Sequence, residues 1–454
     1  MEMRLYNTLS RKIEKVVPLE DNKIRIYTCG PTVYDYAHIG NLRTFVFNDL
    51  LKRTLRFLGF EVFQVINITD VDDKTIAASQ KQGVSLKEYT AKYEKLFFED
   101  LRKLNILLPE KTPRATEHIK EMILLIKTLL EKGFAYKGED GSIYFDISKF
   151  KNYGRLSRIN LKGLKPGARV AVDEYGKEQV SDFALWKAYS PEDGEVFWDS
   201  PFGKGRPGWH IECSAMGTKY LGESFEIHTG AVDLVFPHHE NEIAQTEAAT
   251  GSPWVKYWIH GEHLLVDGKK MSKSLGNIYK LDDILEKGFS PLALRYLFLT
   301  AHYRQILNFT WEALRGAQNA LERLYETVIG LKEKNQNQLA KELNEKWQKR
   351  FAEALSSDLN MPQALAIVWE MLKDKLPAEQ KLALLYDWDR VLGLDLEKPP
   401  RPPKPPKEIK ELLEEREKLR KERKFARADE VRKEIEGKGW LVEDTSQGPR
   451  LKKA

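Results

Sequence analysis

Along the first seventy residues the apolar positions change period twice. Ile24 and Ile26 alternate with polar neighbours and Tyr27 extends the run, a strand pattern that Gly30 and Pro31 end. From His38-Ile39-Gly40-Asn41 the spacing turns helical, with Leu42, Phe45, Val46, Leu50 and Leu51 on one stripe. Gly40 is therefore expected near a helix N-terminus, where an anion can approach the backbone closely. Residues 60–68 return to a strand pattern rich in Phe, Val and Ile, ending in a polar cluster from Asn67 to Lys74. This start predicts an open parallel sheet whose ligands lie at the strands' carboxyl ends, so Thr69 and Asp70 would face the same crevice as Cys29 and His38. Residues 85–133 read as helical, with Leu86, Tyr89, Tyr93, Leu96 and Phe97 periodic and the densest stripe at 123–130, more suited to core than to cofactor contact.

Between 133 and 202 the texture changes to short β-type runs, Ser142-Ile143-Tyr144-Phe145 and Glu195-Val196-Phe197-Trp198, punctuated by Gly and Pro. This predicts an insertion between two halves of the sheet. Arg155, Arg158, Lys162, Lys165 and Arg169 fall within it; such runs are usually solvated faces, and RNA contact is the alternative. Beyond Ser290 the periodicity is helical, through Leu314, Ala317, Leu321, Leu324 and Val328 and on over 339–396. A proline-rich run over 398–407 then reads as an extended, stiff linker. The tail carries two helical stretches, around Ile409, Leu412 and Leu413 and around Phe425, Ala428, Val431 and Ile435. Gly437-Lys438-Gly439 halts them, and a small hairpin is expected after it.

A chain of 454 residues, 42% hydrophobic, has material for several cores. A net charge of +5 permits a nucleic-acid partner without requiring one. Two cysteines build no disulfide framework, no apolar run is long enough for a bilayer, and the start lacks a signal peptide's apolar core, so the expected location is the cytoplasm.

Those two cysteines, Cys29 and Cys213, are candidates for chemistry. Cys213 follows Gly208-Trp209-His210-Ile211-Glu212, and shortly after it comes Phe236-Pro237-His238-His239-Glu240-Asn241-Glu242, with Pro237 placed to start a helix. His238 and Glu242, four apart, would share one helix face. Two thiolates, an imidazole and a carboxylate form a set that zinc accepts. Taken singly, a buried cysteine is usually packing and a helical His-Glu pair a surface contact, and spacing alone does not bring Cys29 to Cys213. Further on, Asp267-Gly268 is a hairpin turn, and Lys270-Met271-Ser272-Lys273-Ser274 behind it offers two ammonium groups to a polyphosphate.

With these stretches side by side, the chain resembles the cysteinyl-tRNA synthetases, a family of class I aminoacyl-tRNA synthetases. His38-Ile39-Gly40-Asn41 is similar to the first class I signature and Lys270-Met271-Ser272-Lys273-Ser274 to the second. Residues 28–35, 208–216 and 236–242 add to the likeness, which runs almost end to end. It implies an α/β fold, a Rossmann-type parallel-sheet catalytic domain with a connective insertion, followed by a helical bundle and a small α+β C-terminal domain. The implied division is 1–112 and 203–250 for the two catalytic halves, 113–202 for the insertion, 251–312 for a stem-contact region with the lysine loop, and 313–397 for a helical tRNA-binding bundle. Residues 398–407 would be the linker and 408–454 an anticodon-binding domain.

The resemblance also implies roles. Cys29, Cys213, His238 and Glu242 would bind one zinc ion. His38, Gly40, Asn41, Lys270 and Lys273, with Asp233, would hold ATP and its Mg²⁺ and stabilise the transferring phosphoryl group. Thr69 and Trp209 would line the L-cysteine pocket, and Arg420, Phe425, Asp429, Arg432 and Asp444 would read the anticodon of tRNA-Cys. Phe425 departs from the tryptophan of some relatives; stacking survives that exchange and an indole hydrogen bond does not. The implied reaction is cysteinyl-adenylate formation with release of pyrophosphate, then transfer to the 3′-terminal ribose, by a monomer away from membranes. Two rivals remain: a ligase joining cysteine to an amino-sugar amine, whose members lack this tail, and a non-catalytic tRNA-binding zinc protein, which leaves both signatures without a purpose.

Overall fold

The computed structural model describes residues 2–159, 169–170, 181–335, 339–400, 405–445 and 448–453. Two compact units result, Met1–Glu397 and Lys398–Ala454.

In the larger unit four strands, β1 (Lys23–Thr28), β2 (Glu61–Ile66), β3 (Phe225–Ala231) and β4 (Val255–Gly261), form one sheet in the order β2-β1-β3-β4. Every pairing is parallel. The chain runs from β1 to its neighbour on one side and, after the insertion, returns on the other. The order therefore reverses between β1 and β3, and a crevice opens at their carboxyl ends. Alternation along β1 sends Ile24 and Ile26 into one apolar cluster and Tyr27, with Cys29 just beyond, into another on the opposite face.

Helix α1 (Ile39–Phe57) follows β1 and starts with a reciprocal cap: His38 Nδ1 accepts from the Asn41 backbone N–H at 3.1 Å, and Asn41 Oδ1 accepts from that of His38 at 3.2 Å. Two helices border the crevice on the other half, α2 (Trp209–Leu221) and α3 (His238–Thr250), the latter starting after Pro237. The region read as helical over 85–133 is two helices, Leu86–Lys103 and Ile119–Glu131, because Asn105 adopts a positive φ and the 105–114 segment runs extended beside β2. The insertion carries its own sheet, centred on Asp182–Ala188. Glu195-Val196-Phe197-Trp198 is not a strand: Pro191–Asp193 forms a single turn before it and only Trp198 makes an isolated bridge, to Gly205.

Helices from Pro291–Leu299 to Ala378–Leu392 form the expected bundle and share one apolar cluster with α1. A buried ionic knot joins them to it. Arg295 gives hydrogen bonds to Asp49 Oδ2 at 2.6 Å and to the carbonyls of Leu392 and Leu104, while Arg53 reaches Asp49 at 2.8 Å and the carbonyl of Arg390. Arg295 and Asp49 are fully enclosed, so neither charge has water as a substitute partner. In the smaller unit, Lys407–Lys421 and Phe425–Gly437 pack with the hairpin Trp440–Thr445 and Gly448–Lys453 around Ile409, Val431, Ile435, Trp440 and Val442. Among the described residues no helix is long and apolar enough to cross a membrane.

Replacing Asp49 by Ala leaves two guanidinium groups without their counter-charge. Urea unfolding followed by circular dichroism is expected to show a loss of about 3–5 kcal/mol in the larger unit.

Candidate active site

At the reversal point between β1 and β3, Thr28 and Thr229 share a hydroxyl hydrogen bond of 2.8 Å, and the Cys29 backbone N–H donates to the Thr229 carbonyl. This sets Cys29 at the crevice floor. Gly30 lets the chain pass: a Cβ there would lie 1.5 Å from the Asn67 carbonyl oxygen. Gly208 serves α2 likewise, since a Cβ would meet the Ala184 carbonyl at 2.1 Å. The first turn of α2 then stacks Trp209 over Cys213, four residues apart on one face.

The sulfurs of Cys29 and Cys213, 184 residues apart in sequence, lie 4.0 Å from each other. Cys29 Sγ is 3.6 Å from Glu242 Oε1, and His238 Nε2 is 2.8 Å from that same oxygen. All four donors lie within 4.8 Å of one another and all are buried. A tetrahedral ion about 2.3 Å from each sulfur separates two sulfurs by about 3.8 Å, so the cluster has the size of a zinc-type centre.

Its electrostatics call for a cation. Burial pushes the Cys29 thiol well up, and Cys213 beside it raises it further. Burial works the same way on Cys213, but the hydrogen bond from Cys29 and the charge of His238 outweigh it and bring it down to about 6. Against burial, the charges of Glu242 and Cys213 lift His238 to about 10, and His228 and His238 lower Glu242 to about 2. Cys213 and Glu242 are thus held anionic beside an imidazolium, and a metal ion would take the place of its proton.

A second set, Cys29, His228, His239 and Glu242, overlaps the first. It offers one sulfur where the first offers two, and so compensates a soft divalent ion less well. Its histidines instead support the first set from outside: His228 Nε2 lies 2.7 Å from Glu242 Oε2, and His239 Nε2 lies 3.3 Å from Cys29 Sγ. His210 holds His238 through an Nδ1–Nδ1 contact of 2.9 Å, and His239 leans on His260. Five of the nine histidines therefore gather here. Sequence reasoning finds only His238 of them. His210 and His239 stand beside named residues; His228 and His260 lie in β3 and β4, which the sequence reading leaves unassigned.

On the neighbouring rim the cap fixes the His38 ring. Because Nδ1 accepts from Asn41, the ring proton sits on Nε2. Burial lowers the pKa of His38, which favours the neutral donor form, and Asp233 lies near enough for its charge to oppose that shift in part. Across from α1, Leu264–Val266 and Lys269–Lys270 pair through a two-residue turn with positive φ at Asp267 and Gly268. Asn277 clips the loop that follows, giving to the Lys270 carbonyl at 3.1 Å and accepting from the Ser272 N–H at 2.9 Å. Lys270 is exposed, and the Lys273 side chain lies outside the described residues. The loop touches the helix entry: Met271 Cε is 2.4 Å from where a Gly40 Cβ would stand. Thr69 is buried, and Trp209 stacks on His238 with ring centroids 4.2 Å apart.

In the insertion Arg155 pairs with Glu247 and Arg158 reaches the Leu9 carbonyl, while Lys162, Lys165 and the Arg169 side chain lie outside the described residues. In the smaller unit Phe425 is 58% exposed and Arg420 and Asp429 are exposed. Asp444 takes a bidentate pair from the buried Arg416, both contacts 2.9 Å, and Arg432 pairs with Glu436. Sequence reasoning misses Arg416, because a lone arginine in a charged helix carries no periodic signal.

A doubly wound parallel sheet, a histidine-capped helix entry and a lysine loop against it define a nucleotide-activating class, and residues 15–319 match the family described as tRNA synthetases class I (C) catalytic domain. The chain is 48% identical to a cysteine–tRNA ligase of Protochlamydia amoebophila over 99% of this chain and 98% of that one. It is 47% identical to a cysteine–tRNA ligase of Brachyspira hyodysenteriae over 99% and 98%. It belongs to the cysteine–tRNA ligase family. Among solved structures, a leucyl enzyme from Agrobacterium radiobacter K84 in a ternary complex with tRNA shares the fold with a TM-score of 0.61 at 10% identity, over 84% of this chain and 85% of that one. Mycobacterium tuberculosis methionyl-tRNA synthetase does so with 0.57 at 15%, over 83% and 91%.

The two donor sets make opposite forecasts. Cys213→Ala is expected to abolish tight binding of one zinc ion in equilibrium dialysis, whereas His228→Ala retains the ion with weakened affinity, about 10- to 100-fold.

Proposed function

We propose that this chain is a cysteine–tRNA ligase that joins L-cysteine to ATP as cysteinyl-adenylate and then charges tRNA-Cys. The observation that carries this reading is the meeting of Cys29, Cys213, His238 and Glu242 at the sheet's reversal point, beside a helix entry built for phosphate. In the first step a carboxylate oxygen of cysteine bonds to the α-phosphorus, the bond from that phosphorus to the bridging oxygen breaks, and pyrophosphate leaves with the electron pair. His38 donates from Nε2 to an α-phosphoryl oxygen, and the N-terminal backbone of α1 at Gly40 and Asn41 adds its positive end. Lys270 and Lys273 meet charge on the departing phosphates, which arrive with Mg²⁺. Asp233, near His38, faces the nucleotide side. In the second step a terminal ribose hydroxyl of the tRNA, the 2′-hydroxyl by class, attacks the adenylate carbonyl and AMP leaves. No protein nucleophile takes part.

Selection follows from the donor set. Cysteine and serine differ by one atom, and an apolar pocket separates such pairs by only about 1–3 kcal/mol. Zinc held by Cys29, Cys213, His238 and Glu242 would supply a soft acceptor for the substrate's sulfur that a hydroxyl satisfies poorly. Thr69 and Trp209 close the pocket around it. Recognition of tRNA falls to the bundle and to the smaller unit, where the exposed ring of Phe425 offers a stacking surface and Arg420, Asp429, Arg432 and Asp444 offer polar contacts. That unit matters for the choice of acceptor. The relatives named above align over nearly their full length, tail included, which favours tRNA over an amino sugar.

Cysteine-dependent exchange of pyrophosphate into ATP, together with cysteine acceptance by transcripts carrying or lacking the GCA anticodon, tests the whole reading; exchange without transfer to any tRNA would reject it. Cys213→Ala or His238→Ala is expected to raise the cysteine KM far more than the ATP KM, and Lys270→Ala to cut the kcat of exchange by about 100-fold. Phe425→Ala is expected to leave exchange unchanged while weakening tRNA binding by about 1–3 kcal/mol, read in filter binding.

A further inference from the structure

Four side chains on the rim beside His38 are used by none of the steps above. The loop that joins β1 to α1 presents Tyr34 and Tyr36, both half-buried, and each ring carries a lysine from another element. Lys74, in the first turn of the helix Asp73–Gln82, lies over Tyr34 with its Nζ 5.3 Å from the ring centre; Lys280, just before the helix Leu281–Glu286, lies over Tyr36 at 4.1 Å. Backbone contacts hold Lys280 in place. The Ile39 N–H donates to the Tyr279 carbonyl at 2.8 Å, His38 and Lys280 form an isolated bridge, and the Lys280 N–H donates to Asp283 Oδ2 at 2.6 Å. The loop and its rings are fixed as well: the Tyr89 hydroxyl donates to the Tyr34 carbonyl at 2.7 Å, and Tyr93 meets Tyr36 edge-on with centroids 5.6 Å apart. Asp35, between the two tyrosines, accepts the Tyr36 N–H at 2.9 Å.

Aromatic rings interleaved with lysines suit one kind of ligand. A base stacked on a tyrosine gains more than a half-exposed ammonium resting on the same ring, and an ammonium that leaves the ring gains a charged hydrogen bond to a phosphate instead. A single-stranded polynucleotide supplies both, a flat ring and an anion at every step, so the exchange runs in its favour. Place decides which strand. The rim adjoins the His38 entry, where the adenylate forms in the reading above, and the part of a tRNA that has to reach that point is its unpaired 3′ end. We propose that Tyr34, Tyr36, Lys74 and Lys280 form the docking surface for the single-stranded 3′ end of the tRNA, a base taking the place of the ammonium on Tyr36 while Lys280 turns to a backbone phosphate. The proposal rests on the ligase reading and concerns its second step alone.

The test uses the full chain, the variants Tyr36→Leu and Lys280→Met, and tRNA-Cys transcripts that carry or lack the unpaired 3′-terminal nucleotides. In Tyr36→Leu the Kd of the intact transcript is expected to rise about fivefold or more in filter binding, while that of the shortened transcript stays within about twofold. In Lys280→Met the salt dependence of binding is expected to become shallower by about 0.7 in logarithmic slope, again for the intact transcript only. Cysteine-dependent pyrophosphate exchange stays within about twofold in both variants. Equal weakening for the two transcripts, or none for either, overturns the proposal, and so does a loss of exchange, which assigns the pair to the ATP side. Should Tyr36→Leu fail to fold, Lys280→Met on its half-exposed side chain carries the same comparison. Absence of exchange in the unaltered chain would reject the ligase reading itself, whereas an active chain whose variants bind both transcripts as before retires the docking surface alone.

Discussion

Two thiols, an imidazole and a carboxylate packed within 4.8 Å and cut off from water lose hydration and compete for protons, and the sheet around them has to hold them together. It does so by topology. Cys29 ends β1, Cys213 rides on α2 against the same face, and α3 presents His238 and Glu242 from one helical turn, so the donors are fixed by three different elements. A metal ion among them would take over from the His238 proton as the charge the donors share. The ring of histidines then fixes orientation: His228 occupies the spare oxygen of Glu242 and His210 the spare nitrogen of His238.

Close backbone approach is the second condition. Gly30 lies where any side chain would collide with the carbonyl beyond β2, and Gly208 where it would collide with the insertion's main strand. The insertion is thereby tied to the pocket, because the strand Asp182–Ala188 and the start of α2 touch through backbone. At the far end of α1, the knot of Asp49, Arg53 and Arg295 binds the helix that begins with His38 to the bundle. One helix therefore connects the His38 rim of the crevice to the bundle.

The parts legible in the sequence are those encoded by neighbours in the chain. The βα start and the helix entry near Gly40 announce themselves locally, as do the turn at Asp267-Gly268 and the tail's helices and hairpin. So does the His238–Glu242 pair, since helical spacing is a local property. What joins distant segments is silent: no periodicity marks His228, and Arg295 reads as an ordinary helix residue although it is fully enclosed. The run Glu195-Val196-Phe197-Trp198 reads as a strand because its residues favour one; the tight turn Pro191–Asp193 before it and the lack of a full-length neighbour leave it as a loop. Asp444 carries a pairing of the same silent kind: the resemblance gives it as an anticodon contact, and nothing local in the sequence announces its bidentate pair with Arg416.

The seat of Met271 on Gly40 couples two parts that the chain order separates by more than two hundred residues. A thioether rests on bare backbone at the mouth of α1, and any larger residue at 40 would prop it away. The lysine loop and the helix mouth therefore meet through the bare glycine, which acts as a bearing surface for the loop.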